Sequence, residues 1–198
     1  MRAKLRVWSG IPGGGKTTGV RYHHSRYGIP AGSKISDRRP RPDHLVIQGA
    51  GETRVVSAAG FDVLAAQPRV LTYLYRGSRY LCSLDELIEL LARDRVVNVV
   101  LCHGPTVERL ADALATVADV ERVHVHATPE IVRRRLSAVG ASQREISERL
   151  QGWQEGEQGF RANPSLYHVL DNTRDWKWFE QQLQEFVRQN APAEVVRG

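Results

Sequence analysis

No stretch of this sequence stays apolar for the roughly 18–20 residues that a bilayer-crossing helix needs. The opening residues, MRAKLRVW, run straight into a strand-like segment and carry no signal-peptide pattern. Cysteine is scarce. Cys82 and Cys102 both lie in apolar stretches, which excludes a disulfide framework and reads as two reduced thiols. These absences lead us to expect an intracellular, cytoplasmic protein with no membrane partner. Internal repeats and low-complexity tracts are also missing, so a solenoid is not expected. Carboxylates are in deficit. The chain has 28 Lys and Arg against 22 Asp and Glu, a net charge of +6, and a pI near 9.7. Such a balance favours anionic partners, from a nucleoside triphosphate to a nucleic acid.

What is present alternates between two periodicities. Leu5–Ser9 reads as a buried strand, and residues 16–27 as a helix. Residues 28–43 are loop-rich, with a short strand possible at 33–36. Strand character returns at 44–48 and 53–57. Val70–Tyr75 and Arg79–Cys82 flank Arg76-Gly77-Ser78 as a hairpin. Ser83 to Glu86 is a capping box opening a helix to about Arg93. Val96–Cys102, almost wholly apolar and rich in β-branched valine, suits a parallel strand buried on both faces. A helix over 105–118, a strand over 122–126, a Thr128-capped helix, a second capping box at Ser142–Glu145 with a helix to about Trp153, a strand over 167–170 and a helix over 173–190 complete the pattern. The fold expected is α/β, a mostly parallel sheet between helical layers, with a small antiparallel insertion at 44–82. The 198 residues suit one domain, large enough to bury about 70% of its unfolded surface.

Gly10-Ile11-Pro12-Gly13-Gly14-Gly15-Lys16-Thr17 matches the Walker A pattern GxxxxGK[ST] in full, between an expected strand and an expected helix. Glycines let the backbone wrap so that its N–H groups point inward at phosphates, and the helix start adds its positive end. Gly10, Pro12, Gly13, Gly14, Gly15, Lys16, Thr17 and Thr18 are therefore the expected ATP-binding residues. Lys16 would reach the β- and γ-phosphates, and the Thr17 hydroxyl would coordinate Mg2+. The strand that would carry a Walker B acid ends Leu101-Cys102-His103-Gly104, with no carboxylate. An NKxD guanine-reading motif is absent as well. Motor ATPases and GTPase switches are thereby disfavoured, and kinases are not.

The motif order resembles the guanylate kinase family over nearly the whole chain. Arg38-Arg39-Pro40-Arg41-Pro42 stands where that family has TTRxPRxGE, and the 77–83 hairpin where it has GNYYGT. ATPEIVRRRL, SQREISERL and YHVLDN resemble its approach to the lid, its lid helix and its last strand. The resemblance implies a single P-loop kinase domain over 1–198, with a lid at 133–155 and an acceptor-binding region at 44–82. It implies that Arg38 and Arg41 grip an acceptor phosphate and that Arg149 neutralises the phosphoryl group in transit. Guanidinium forks suit both tasks. Arg133, Arg134 and Arg135 are consecutive and cannot all face one site.

The departures fall on guanine recognition. His44 replaces the Glu of PRxGE, Leu74 the acid before the hairpin turn, Cys82 the Thr of the turn, and Cys102 the Asp ending the next strand. Guanine's N–H donors lose their partners, so GMP is not the expected acceptor. Asp37 stands where the family has Thr. A hydroxyl acceptor must lose a proton, and Asp37 is placed like the base of hydroxyl-directed P-loop kinases such as polynucleotide kinases. Lys16, Asp37 and Arg149 are thus the expected catalytic residues, and Arg38, Arg41, His44, Arg79 and Tyr80 the expected acceptor-binding ones. The hairpin region is rich in Arg and Tyr (Arg69, Tyr73, Tyr75, Arg76, Arg79, Tyr80), suited to gripping a backbone and stacking on a base. The expected acceptor is a hydroxyl on DNA, for instance a 5-hydroxymethylpyrimidine. The alternative is a nucleoside monophosphate or ribose-bisphosphate kinase with altered base choice. The histidine pairs 23/24 and 124/126 read as structural, and oligomeric state is left open.

Overall fold

The structure, a computed structural model, describes residues 2–38, 53–101, 103–151 and 153–190. The expected strand at 44–48, together with Arg41, His44 and Cys102, lies outside these residues. No described helix is long and apolar enough to cross a membrane.

Four parallel strands make the central sheet: β1 (Ala3–Ser9), β6 (Val96–Val100), β7 (Ala118–His126) and β8 (Tyr167–Asp171), in the order β6-β1-β7-β8. A single bridge from Ala31 to Asn98 extends the sheet beyond β6. All of β6 is buried, as its β-branched run predicts for a strand covered on both faces. Along β1 the side chains alternate. Leu5 and Val7 join Val97, Val99, Leu110 and Leu114 in one core cluster, while Trp8 faces Val20, Val123, Phe179 and Leu183 in another. The first cluster lies under α3 (Leu84–Arg93) and α4 (Gly104–Leu114), the second under α1 (Lys16–Tyr27) and α8 (Trp176–Asn190). This is the expected three-layer α/β arrangement.

Strand β7 starts at Ala118, four residues before the expected start at Arg122, and α4 ends correspondingly early. The charges of Asp119 and Glu121 obscured the strand, and the fold uses them. Glu121 accepts hydrogen bonds from Lys4 Nζ (2.5 Å) and from the fully buried Arg6 Nε (2.9 Å). The Arg6 guanidinium also lies 4.6 Å from the Phe186 ring. Burial lowers the Arg6 pKa, and the Glu121 charge opposes that shift.

A second sheet combines β2 (Lys34–Ser36), β3 (Thr53–Val55), β4 (Val70–Tyr75) and β5 (Ser78–Ser83) in the order β3-β2-β5-β4. It is mixed rather than antiparallel, because β3 runs parallel to β2. Parallel neighbours need a long crossover, and 16 residues separate Ser36 from Thr53. Helix α2 (Ala58–Ala65), capped by the Ser57 hydroxyl, packs Phe61 onto Ile35 and Leu81 of this sheet. The sequence reading did not anticipate α2.

Helices α5 (Pro129–Ala138) and α6 (Gln143–Leu150) start at the expected caps. Ser142 and Glu145 form the full reciprocal capping box. Helix α7 (Trp153–Ala162) was also not anticipated. Its Gly159 comes so close to Gly104 that an added Cβ would sit 3.1 Å from the Gly104 Cα.

Candidate active site

The loop between β1 and α1 adopts left-handed backbone at Gly10 (φ 125°), Gly13 (φ 80°) and Gly15 (φ 105°). At Gly10 any side chain would meet the Val125 carbonyl, whose oxygen lies 2.4 Å from a built Cβ. At Gly15 the obstruction is Asn172 Nδ2, at 2.3 Å. Gly10 and Gly15 are thus required by both conformation and space. The loop closes on itself through Gly14 N–H to the Ile11 carbonyl (3.0 Å). Lys16 Nζ donates to the carbonyls of Gly10 (2.9 Å) and Ile11 (2.6 Å) and is buried. The N–H groups of Gly13, Gly15, Lys16, Thr17 and Thr18 have no acceptor among the described residues. Orphan donors gathered at a helix start, beside a buried ammonium, fit a polyphosphate.

A strut behind the loop holds it. Asn172, just past β8, donates from Nδ2 to the Gly14 carbonyl (2.8 Å) and accepts from Arg135 at 3.0 Å. Arg135 also donates to the Arg174 carbonyl (2.8 Å). Of the three consecutive arginines, Arg135 is therefore the one turned inward, and Arg133 and Arg134 are exposed. The positioning role of Asn172 was not visible in the sequence, because nothing in YHVLDN marks which carbonyl the amide reaches.

In front of the loop lies a cavity of about 160 Å³. One wall is Pro12, Gly13, Lys16 and Thr17. The opposite wall comes from the second sheet and its hairpin, with Lys34, Arg38 and Arg76 interleaved with Tyr73, Tyr75 and Tyr80. Among the described residues no carboxylate lines this cavity. The Tyr73 and Tyr80 rings stack (5.3 Å, 15°), and His103 stacks on Tyr73 from the other side (5.9 Å, 11°). Lys34 lies 5.9 Å from the Tyr80 ring. A second cavity of about 230 Å³ shares Tyr75, Arg76 and Tyr80 and is closed by Glu145, Glu148 and Arg149 of α6.

The expected residues thus separate into two groups. Lys16, Thr17, Arg38 and Tyr80 meet around one cavity, and Arg149 lies at its neighbour. Asp37 and Arg79 do not line either space. The Arg79 Nε donates to Asp37 (2.6 Å), its NH1 to Asp62 (2.6 Å), and the guanidinium lies 4.6 Å from the Phe61 ring. Strand alternation explains this, since Arg79 and Tyr80 are consecutive and point to opposite faces. Hydrogen bonds to Asp37 and then Asp62 raise the Arg79 pKa. Thr18 is exposed beside Thr17. Lys34 escaped the sequence reading, although two-residue alternation back from Arg38 would have found it. Cys82 is buried, and burial pushes its thiol up to about 12, so it is inert at neutral pH.

No protein-family model matches this chain, and no curated protein matches it by sequence. Solved structures do. A guanylate kinase from Anaplasma phagocytophilum superposes with a TM-score of 0.63 at 12% identity, over 98% of this chain and 88% of that one. A shikimate kinase from Bacteroides thetaiotaomicron matches 96% of this chain and 98% of its own at 13% identity, with a TM-score of 0.46. The first likeness shows the fold: the chain has the α/β P-loop fold found in that guanylate kinase.

Proposed function

We propose that this chain is an ATP-dependent phosphotransferase whose acceptor carries both a flat ring and a phosphate. The observation that carries the reading is the cavity itself. A loop with acceptorless amides and a buried ammonium faces a wall of tyrosines interleaved with cations. The fold shared with a guanylate kinase agrees with this reading at the level of architecture. In the proposed arrangement residues 1–198 act as one kinase domain, the 133–155 segment as a lid and the 44–82 region as the acceptor platform.

The triphosphate would lie in the loop, taking hydrogen bonds from the amides of Gly13 and Gly15 to Thr18. Lys16 would exchange its bonds to the Gly10 and Ile11 carbonyls for the β- and γ-phosphates. Thr17 Oγ1 is the protein oxygen suited to hold Mg2+, which would supply charge neutralisation between the phosphates. Arg149 of α6, which lines the neighbouring cavity, would contribute a guanidinium as the γ-phosphoryl moves. The acceptor oxygen bonds to the γ-phosphorus as the bond to the β-phosphate oxygen breaks, and a hydroxyl acceptor gives up its proton.

For the acceptor we favour a hydroxyl on DNA, with a 5-hydroxymethylpyrimidine as the best candidate. The pI near 9.7 and the tyrosine–cation wall support it. Asp37 is the carboxylate next to Arg38 and is our candidate to take the proton, with Arg79 as the group that orients it. One observation favours the alternative, a nucleoside monophosphate. Asp37 is engaged by Arg79 outside the cavity, and a phosphate acceptor needs no base. A labelled-ATP panel with mononucleotides, plain DNA and hydroxymethyluracil-containing DNA separates the two. Label in the modified DNA alone supports the first, and label in mononucleotides alone excludes it.

A further inference from the structure

The tip of the β4–β5 hairpin is a two-residue turn in which both residues have positive φ, Arg76 at 52° and Gly77 at 71°. Two-residue hairpin turns of this hand favour Asn-Gly or Asp-Gly, because a bulky side chain at positive φ is strained. Arginine at the first position therefore has a conformational cost that Asn or Gly would avoid. The turn shape alone does not call for it.

Its surroundings do suggest a use. Arg76 is half-buried and lines both cavities, so its side chain sits between the phosphate loop and α6. No hydrogen bond or ion pair holds it among the described residues, even though Glu145 and Glu148 line the α6 cavity. Its neighbour Arg79, on the other face, has two carboxylate partners. The hairpin thus carries one arginine held by two carboxylates and one that faces, on the phosphate-loop side, a cavity with no carboxylate among the described residues. Strain is tolerated where surrounding structure enforces it, and functional sites are where it collects. An anionic ligand is the partner this guanidinium lacks.

We propose that Arg76 grips a phosphate of the acceptor, held over the cavity by its left-handed backbone. The Tyr73 and Tyr80 rings beside it would receive the acceptor's ring, with Lys34 and Arg38 flanking the same phosphate. This rests on the cavity being the transfer site. The phosphate belongs either to a mononucleotide or to the backbone of a nucleic-acid strand, and the same chemistry serves both.

The test compares the parent with Arg76→Gly and Arg76→Asn, which both tolerate positive φ. Calorimetric titrations use thymidine 5′-monophosphate and a short oligothymidylate, with Mg-ATP binding by the parent measured separately. Both variants should weaken the bound probe by about 10-fold or more, since a charged hydrogen bond is lost. Arg76→Gly should also melt about 2 °C or more above the parent as strain is released. Weakening confined to the oligonucleotide assigns a backbone phosphate. Weakening of the mononucleotide assigns its 5′-phosphate. The effect should persist in a Lys16→Ala background, because the two cations meet different phosphates. Equal affinity in parent and variants overturns the proposal, as does a parent that binds neither probe. An effect that vanishes with Lys16, or a Gly variant melting below the parent, also overturns it. If the parent fails to bind Mg-ATP while Arg76→Gly still weakens a phosphate probe, the phosphate contact stands and the transfer reading falls.

Discussion

The two sheets of this molecule are built for different work. In the central sheet five of the seven β1 residues and all of β6 are buried, and helices cover both faces. In the second sheet β4 alternates between buried or half-buried and exposed positions, and Leu74 stands 61% exposed. The phosphate loop grows from the first and the tyrosine–cation wall from the second. The contrast teaches where each kind of residue is free to vary. At the phosphate loop fold and cavity wall share the same atoms, as Gly10 against the Val125 carbonyl illustrates. In the second sheet the tyrosines and cations of the cavity wall share strands with Leu71 and Cys82, which reach the core cluster, and with exposed positions such as Leu74.

Stability measurements give the sharpest contrast. Trp8 is fully buried and its Nε1 donates to Asn98 Oδ1 (2.8 Å). Trp8→Ala should cost about 3–5 kcal/mol in urea unfolding, through a cavity and an orphaned amide oxygen. Leu74→Ala in β4 should stay within about 0.5 kcal/mol. Comparable losses at the two positions would erase the distinction.

Next in size is the chemistry. Lys16→Ala should lower ATP turnover by on the order of 10²–10³-fold, the usual effect of removing one charge-stabilising donor. An Asp37→Asn variant, if Asp37 takes the proton, should lose about 10²-fold with a hydroxyl acceptor. With a phosphate acceptor it should lose little, so the ratio between acceptors reads out the role.

A pH effect belongs to the central sheet and its helices. His23 is fully buried, edge-on to Trp8 (5.0 Å) and stacked on Phe186 (6.1 Å, 8°). Burial, aided by the Arg6 charge, lowers its pKa from 6.5 to about 3. The folded state therefore resists protonation that the unfolded chain accepts. Its contribution is complete above pH 6.5 and declines as pH falls toward 3, by at most about 1.4 kcal/mol per pH unit. Denaturant midpoints for the parent should fall from pH 7.5 to pH 5, and His23→Leu should flatten that slope. A small effect is also expected at Arg79→Ala, whose pairs with Asp37 and Asp62 are well exposed on the arginine side. Its urea midpoint should stay close to that of the parent.

The same contrast governs what could be read from sequence. The phosphate loop was legible residue by residue, because its glycines and lysine answer to backbone geometry within eight positions. Strand β6 was legible because a strand covered on both faces has a uniform sequence. Helix α7 was not, since Gly156 and Gly159 in WQEGEQGFRA argue locally against a helix. Only the approach of Gly159 to Gly104 explains one of them. The start of β7 was hidden by Glu121, which pairs with Lys4 and Arg6, and by Asp119, which pairs with Arg2, each across more than a hundred residues. In the second sheet, the Arg and Tyr content of the hairpin was plain. Which arginine faces which way depended on register and on a positive φ that composition does not encode.

The central claim is that the amides of Gly13 and Gly15 to Thr18 lack acceptors because a triphosphate supplies them. Amide proton–nitrogen spectra recorded while Mg-ATP is added test it directly. The account predicts saturable shifts that are largest at those five amides and lost in Lys16→Ala. Resonances that stay in place through millimolar Mg-ATP, or that move only elsewhere, would contradict it.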